Sequence, residues 1–177
     1  MIEKERDGYA GVFVPGDQAP VVDLMQDSQM GEVLRHFHDC SKPRALLCHD
    51  PIALVSAMSR PVELRAALME GDSIDAQEQA RGWSYAGYLM TIFSASEETW
   101  VEKEILHGKM YFTMPQAPSA AEGDVIMTNV DFEPHVIVDR ELITGQNLRS
   151  DHGVGEVLVK ALDKATARHR SGVAASA

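Results

Sequence analysis

The stretch "PRALLCHDPIAL", residues 43–54, decides how the rest of the sequence is interpreted. An apolar run ends there at Cys48, and His49 follows, then an Asp-Pro pair of the kind that favours the start of a helix. A short apolar run between turn residues predicts a buried strand. The stretch therefore predicts a strand, a sharp turn and a helix, with the cysteine at the turn.

Apolar strands and amphipathic helices alternate along the rest of the chain. Further strands are predicted at 8–15 and 85–94, and a hairpin at 135–146. Helices are predicted at 21–39, at 96–108 beginning with Ser96, and at 150–170. The charged segment 60–82 is predicted to be irregular, with a helix at "VELRAALMEGD" (62–72) as the alternative within it. This alternation predicts an α/β fold with a mainly parallel sheet.

Length and composition favour one soluble domain that spans residues 1–177, with an ordered core over about 8–168 and a frayed tail at 169–177. A net charge of -11 argues against a nucleic-acid partner. No apolar run approaches the roughly 20 residues that cross a bilayer, so we expect no membrane association. The absence of an apolar leader and the two cysteines predict a cytoplasmic, reducing environment.

Two interpretations of Cys48 are open from the residues alone. In a parallel sheet the carboxyl ends of the strands gather the functional groups, so we expect 16–20 and 48–50 to lie side by side. A thiol there would have free backbone N–H groups for an oxyanion, a helix dipole that favours its thiolate, and His49 as base. The alternative is a buried, inert cysteine, and the spacing alone favours it.

Four segments carry a family resemblance: "GYAGVFVPGDQAPVVDL" (8–24), "KPRALLCHDPIALVSA" (42–57), "MTIFSASEE" (90–98) and "PHVIVDRELITGQNLRSD" (134–151). Together they resemble the DJ-1/PfpI superfamily, relatives of class I glutamine amidotransferase domains, and in particular its Hsp31-like and glyoxalase III branch. The resemblance implies a flavodoxin-like three-layer sandwich with Cys48 at a nucleophile elbow. It also implies that the family's opening strands are missing and that the chain is truncated at its amino terminus.

The sequence departs from the family's pattern at the candidate oxyanion and binding residues. The family's Gly-Gly-His turn is Gly16-Asp17-Gln18 here, and Asp50 stands where a glycine normally follows Cys-His. We expect Asp50 to cap the following helix and, through its negative charge, to disfavour the Cys48 thiolate.

The sequence also leaves open which acid would complete a catalytic triad with Cys48 and His49. In the Hsp31-like branch an acid that orients the histidine follows the strand matching "TIFS", a place that Ala95 occupies here. Glu98 is then the candidate third catalytic residue beside Cys48 and His49. The alternative is that Glu98 is a solvated carboxylate that stabilises a helix N-terminus.

The resemblance implies an enzyme of the glyoxalase III or deglycase type that acts on a small 2-oxoaldehyde through Cys48, without cofactor or metal. The alternative is a non-enzymatic stress chaperone, a redox-responsive protein or a degenerate family member. We expect a homodimer or larger assembly, because family members often dimerise and a strand edge should be exposed. We also expect Cys48 to be more reactive than Cys40.

One cysteine-histidine pattern suggests a metal site. His36, His38 and Cys40 read as H-x-H-x-C, but on a helix His36 and Cys40 share a face while His38 points away. The sequence alone therefore predicts no metal site at these residues.

Overall fold

The structure is a computed structural model that describes residues 6–175, with side chains up to residue 167. Its strands are β1 (Val12–Val14), β2 (Arg44–Leu47), β3 (Leu89–Met90), β4 (Asp124–Val125), β5 (Val136–Asp139) and β6 (Leu142–Gly145). The main sheet has the order β1-β2-β6-β5, and β3 and β4 form a separate parallel pair. β1, β2 and β6 run parallel, whereas β5 and β6 form the predicted antiparallel hairpin. The predicted α/β fold with a mainly parallel sheet is confirmed.

The α-helices outside the turns are α1 (Ser28–Asp39), α2 (Pro61–Glu70), α3 (Ser73–Gln79), α4 (Ala95–Val101), α5 (Gln116–Ala120) and α6 (Asp151–Ala175). A 3-10 helix (Asp50–Ala57) follows β2, and a π-helical turn (Glu102–Leu106) extends α4. None of the described helices combines the length and apolar character needed to cross a bilayer.

The sheet is covered on both faces, as a three-layer sandwich requires. Every residue of β2 is buried, and its side chains alternate between two apolar clusters. Leu46 belongs to the larger cluster, which includes the 3-10 helix, whereas Ala45 and Leu47 meet Val154 of α6 on the opposite face. This alternation is the two-residue period of a strand, and it leaves Cys48 at the carboxyl end of a fully buried central strand.

Two helical predictions need correction. The helical part of 60–82 extends beyond 62–72, because Gly71 ends α2 in a left-handed conformation and the Asp72 carboxylate accepts hydrogen bonds from the Ile74 and Asp75 N–H groups of a second helix, α3. The helix predicted to begin at Ser96 is capped instead by Ser94, whose hydroxyl accepts from the Glu97 N–H while the Glu97 carboxylate accepts from the Ser94 N–H. This reciprocal capping box satisfies two donors at once.

The ends of the chain also differ from the prediction. β1 is shorter than 8–15, and among the described strands it pairs only with β2, with Phe13 45% exposed. The homodimer expected from such an edge stays a prediction. At the other end α6 is helical as far as Ala175, through most of the expected tail, and the last two residues lie outside the described residues.

Candidate functional site

Cys48 lies at a strained turn between β2 and the 3-10 helix. Its φ is +64°, a left-handed value that non-glycine residues rarely adopt and that costs about 1–3 kcal/mol. Backbone hydrogen bonds hold the turn on both sides, from Cys48 N to the Gly145 oxygen at 2.8 Å and from Phe93 N to the Cys48 oxygen at 3.0 Å. Such a strand-turn-helix geometry with a strained cysteine is that of a nucleophile elbow.

Gly16 allows the neighbouring turn to approach the elbow closely. A Cβ atom built at Gly16 would lie 3.3 Å from the Cβ of Cys48 and 3.3 Å from the Leu47 oxygen, and the φ of Gly16 is +99°. Both the space and the backbone conformation therefore favour glycine. The expectation that 16–20 and 48–50 lie side by side is met here.

Cys48, His49 and Glu98 form a continuous chain of contacts. The Cys48 Sγ lies 3.3 Å from His49 Nδ1, and His49 Nε2 lies 2.8 Å from Glu98 Oε2. Glu98 is only 1% exposed, so the alternative of a solvated carboxylate is wrong. A proton on Nε2 that is donated to Glu98 leaves Nδ1 of the neutral ring free to accept the thiol proton.

Two further side chains hold this chain of contacts in place. Gln18 donates its amide Nε2 to Glu98 Oε1 at 3.0 Å, a contact that orients the carboxylate. The His49 ring stacks on Phe93 with 4.2 Å between centroids and 27° between planes. Both contacts restrict the rotamers of Glu98 and His49, which is what a pre-organised proton relay needs.

Asp50 does not cap its own helix as expected. Its carboxylate accepts hydrogen bonds from Gly16 N at 2.6 Å and from Asp17 N at 3.1 Å, while the N-cap position belongs to His49 and has no side-chain cap bond. The turn after β1 presents two N–H groups toward the elbow, and a carboxylate at position 50 reaches them. The backbone donors that we expected to hold an oxyanion are therefore occupied by Asp50.

The surroundings of Cys48 disfavour its thiolate. Burial raises the pKa of the Cys48 thiol to about 12, and the charges of Asp50, Glu97 and Glu98 raise this pKa as well, against a backbone hydrogen bond from His49 that lowers it. The expected activation by the helix N-terminus is thus outweighed by burial. At neutral pH the thiol is almost entirely protonated.

Burial also raises the pKa of Asp50, to about 6, although the N–H groups of Gly16 and Asp17 and the charge of His49 act in the opposite direction. Because the folded-state pKa exceeds the value of 3.8 for a free aspartate, the folded protein holds this proton more tightly than the unfolded chain. The stability that protonated Asp50 contributes is complete below about pH 4 and is lost as the pH rises through about 6.

We now expect Cys40 to react before Cys48, the reverse of the order predicted from the sequence. Cys40 is exposed, whereas Cys48 is half-buried and has a raised pKa. Brief treatment with iodoacetamide at pH 7 in the presence of a chelator, followed by peptide mass analysis, should find carboxamidomethyl groups first on Cys40. Faster labelling of Cys48 would show that the thiolate is stabilised by a contact beyond those described.

Glu97 is the buried centre of a hydrogen-bond network that the sequence did not predict. Its Oε1 accepts from Asn147 Nδ2 at 2.7 Å and from Phe132 N at 2.8 Å, and its Oε2 accepts from Ser94 N at 2.9 Å and from Gln146 Nε2 at 3.1 Å. Gln146 and Asn147, which follow β6, thus tie the last crossover to the helix that carries Glu98. Two features of the sequence could have indicated this network: Glu97 follows one predicted strand closely, and the amide side chains of Gln146 and Asn147 follow another.

A cavity of about 260 Å³ opens beside the elbow. Beyond Cys48 and His49, its walls are largely apolar and include Phe93, Trp100, Ile105, Phe132 and Leu148. Trp100 and Leu148 are exposed at its rim, and Phe93 is buried at its inner end. The thiol therefore faces a space that suits a small apolar group.

Two curated proteins with the same description are similar to this chain in sequence. The chain is 26% identical over 156 residues to the glutamine amidotransferase-like class 1 domain-containing protein 1 of Bos taurus, covering 80% of this chain and 54% of that protein. The Homo sapiens protein of the same description is 24% identical over 153 residues, with the same coverage. The chain thus spans about half the length of these curated relatives. No protein-family model matches it.

Solved structures share the fold. The 24 kDa rapid encystment protein of Francisella tularensis aligns with a TM-score of 0.67 at 14% identity, over 89% of this chain and 60% of that one. Glyoxalase III of Candida albicans aligns with a TM-score of 0.64 at 15% identity, over 88% and 58%. A further crystallographic structure reaches 0.70 at 22% identity, over 91% and 62%. Sequence similarity over 80% of the chain, the shared fold and the cysteine elbow support the resemblance to the DJ-1/PfpI superfamily.

Proposed function

We propose that the chain is a cysteine-dependent enzyme that converts small 2-oxoaldehydes with an apolar substituent into 2-hydroxy acids, and that it does so slowly at neutral pH. The observation that carries this proposal is the buried contact chain from Cys48 through His49 to Glu98. A nucleophile, a base and a group that orients the base within hydrogen-bond reach of one another are the signature of nucleophilic catalysis.

The first proposed step is attack on the aldehyde. His49 Nδ1 takes the thiol proton, and the Cys48 sulfur forms a bond to the aldehyde carbon, which gives a hemithioacetal alkoxide. The imidazolium that forms is stabilised by the Glu98 carboxylate on Nε2. The alkoxide needs backbone donors, and the Gly16 and Asp17 N–H groups serve it when they are not bound to Asp50.

The later steps rearrange and release the product. A proton moves from the former aldehyde carbon to the neighbouring keto carbon through an enediolate, with His49 as carrier, and leaves a 2-hydroxy thioester on Cys48. Water then cleaves the thioester and regenerates the thiol. One water is consumed for each 2-oxoaldehyde, and the internal transfer of hydrogen needs no external oxidant or reductant.

The cavity supports an uncharged, apolar substrate in preference to an anionic one. No lysine or arginine lines the described cavity, whereas the carboxylates of Asp17, Asp50 and Glu98 lie at or near it. A carboxylate-bearing 2-oxo acid would be repelled by these charges. An aromatic or aliphatic side chain would meet Trp100 and Phe132 and bury apolar surface there.

A second candidate is a non-catalytic member of the superfamily that keeps the elbow but not its chemistry. Two observations favour it: the raised pKa of the Cys48 thiol and the occupation of the oxyanion donors by Asp50. Under this candidate the apolar cavity binds a ligand without turnover.

The test is product formation by the full chain with phenylglyoxal and methylglyoxal, followed as mandelate and lactate at pH 7 and pH 9. We expect slow turnover that rises with pH, prefers phenylglyoxal in kcat/KM and disappears in Cys48→Ala. Glu98→Gln should lose about 10²-fold or more in kcat because it disturbs the base. Absence of Cys48-dependent product at pH 9 would contradict the enzyme and leave the second candidate.

A further inference from the structure

A second group of reactive side chains lies away from the elbow. Among the residues described with side chains, Asp7, His36 and Cys40 each place one potential metal-ligand atom so that these three atoms lie within 4.8 Å of one another. His36 Nε2 lies 3.3 Å from Asp7 Oδ1 and 3.9 Å from Cys40 Sγ. The group combines one imidazole, one thiol and one carboxylate.

The two separations that His36 makes are close to those of ligands on one zinc ion. With Zn–N and Zn–O bonds of about 2.0–2.1 Å and a Zn–S bond of about 2.3 Å, a tetrahedral site places N and O about 3.3 Å apart and N and S about 3.5 Å apart. The N–O separation here already has this value, and the N–S separation exceeds it by a few tenths of an ångström. A small side-chain rotation of an exposed cysteine closes that difference.

The helix arranges two of the three ligands. His36 and Cys40 are four residues apart at the carboxyl end of α1, so their side chains are neighbours on one helix face. His38 is not part of the group, because it pairs with Asp39 and its ring contacts Tyr85. The helical spacing separates His38 from His36 and Cys40, whereas no local pattern indicates that Asp7 approaches them.

The third ligand comes from the segment that precedes β1. Arg6 binds the Glu32 carboxylate of α1 at 3.2 Å, and the Lys42 Nζ donates to the backbone oxygens of Arg6 and Asp7 at 3.4 and 3.2 Å. These contacts place the Asp7 carboxylate over the helix face. The Glu32 carboxylate compensates the positive charge of Arg6. Among the described residues, Lys42 lies near Asp7, and its positive charge would weaken the binding of a cation there.

We propose that Asp7, His36 and Cys40 form a site for zinc or a similar thiophilic divalent cation. The thiolate and the carboxylate supply two negative charges against a divalent ion, and imidazole with thiolate is a donor set that zinc favours. Three protein ligands leave the fourth position to solvent. The metal fastens the segment ahead of β1 to α1, so it stabilises the edge of the sheet by binding only the folded chain.

The test uses cobalt(II) as the probe, added to the reduced full chain. We expect a thiolate-to-cobalt charge-transfer band that zinc displaces, together with a rise in Tm on addition of zinc. Cys40→Ser should abolish the band. His36→Gln and Asp7→Asn should each weaken the apparent affinity for cobalt at least about tenfold. Even the substitution of a residue that only hydrogen-bonds to a metal ligand costs about this much, so the loss of a ligand should cost no less.

The matched control is Cys48→Ser, which removes the only other cysteine and leaves the proposed site intact. Its charge-transfer band should equal that of the unchanged chain, and far-ultraviolet circular dichroism should show that every variant is folded. A band that survives in Cys40→Ser, a band that is lost in Cys48→Ser, or no band in the unchanged chain would each overturn the proposal.

Discussion

Replacing Asp50 by glycine is expected to raise kcat/KM for a 2-oxoaldehyde by up to about 10²-fold, the value of one oxyanion donor. The substitution removes the carboxylate that accepts from Gly16 N and Asp17 N, so both N–H groups become available to the alkoxide. It also removes a negative charge that raises the pKa of the Cys48 thiol. Both effects act in the same direction.

Asp50→Asn removes the charge, while its amide oxygen can still accept from only one of the two N–H groups of the turn, so the pKa of Cys48 in this variant reports on the charge. Two unit charges about 7 Å apart interact by roughly 2 kcal/mol at an effective dielectric of about 20, and exposure to solvent reduces this value. We therefore expect the pKa of Cys48 to fall by about one unit in this variant. Titration of the thiolate absorbance measures the pKa, and steady-state kinetics measures the gain that the glycine adds.

Asp17→Asn is the control for the loss of a nearby charge. Asp17 is exposed, and its side chain accepts only from its neighbour Gln18 N among the described contacts. Its substitution should leave the pKa of Cys48 within a few tenths of a unit. An unchanged thiol pKa in Asp50→Asn would show that burial alone holds the thiol protonated, and an unchanged rate in Asp50→Gly would count against the oxyanion role of the turn.

Glu97→Gln is expected to lower the free energy of unfolding by about 3 kcal/mol. Each carboxylate oxygen of Glu97 accepts two hydrogen bonds, and the amide nitrogen of glutamine cannot accept any. The two N–H groups that bind the replaced oxygen would therefore lose their acceptor and face the NH2 group of the glutamine instead. Because Glu97 is fully buried, water could not replace the lost acceptor. Urea unfolding of the full chain measures the change.

The control is Glu104→Gln, which changes the same residue type in the π-helical turn that extends α4. Glu104 is exposed and pairs only with its exposed neighbour Lys103 in the described contacts, so its substitution should cost less than about 0.5 kcal/mol. Equal effects of the two substitutions would mean that the network around Glu97 does not hold α4. A loss confined to Glu97→Gln would identify it as the residue that positions the helix carrying Glu98.

Local sequence patterns are sufficient to predict several backbone elements of this fold. The buried run at residues 44–47 and the Asp-Pro pair after it predicted a strand, a turn and a helix around Cys48, because each of these has a short-range signature. That this turn is a nucleophile elbow was implied by the family resemblance. The hairpin of β5 and β6 was predicted for the same reason, since its polar centre lies between two β-rich arms. The family resemblance added the three-layer arrangement.

The partners of the polar side chains, in contrast, depend on contacts between segments that are distant in the sequence. Asp50 is 34 residues from Gly16, and Glu98 is 49 residues from His49, so neither contact has a local signature. Each forms because parallel strands bring their carboxyl ends to one edge of the sheet, where a side chain binds whichever donor or acceptor is unpaired. The contacts of Glu97 and the approach of Asp7 to α1 also join segments that are distant in the sequence, so local patterns did not predict them. Local sequence patterns predict which backbone segments form, whereas the partners of buried charges depend on the packing of distant segments.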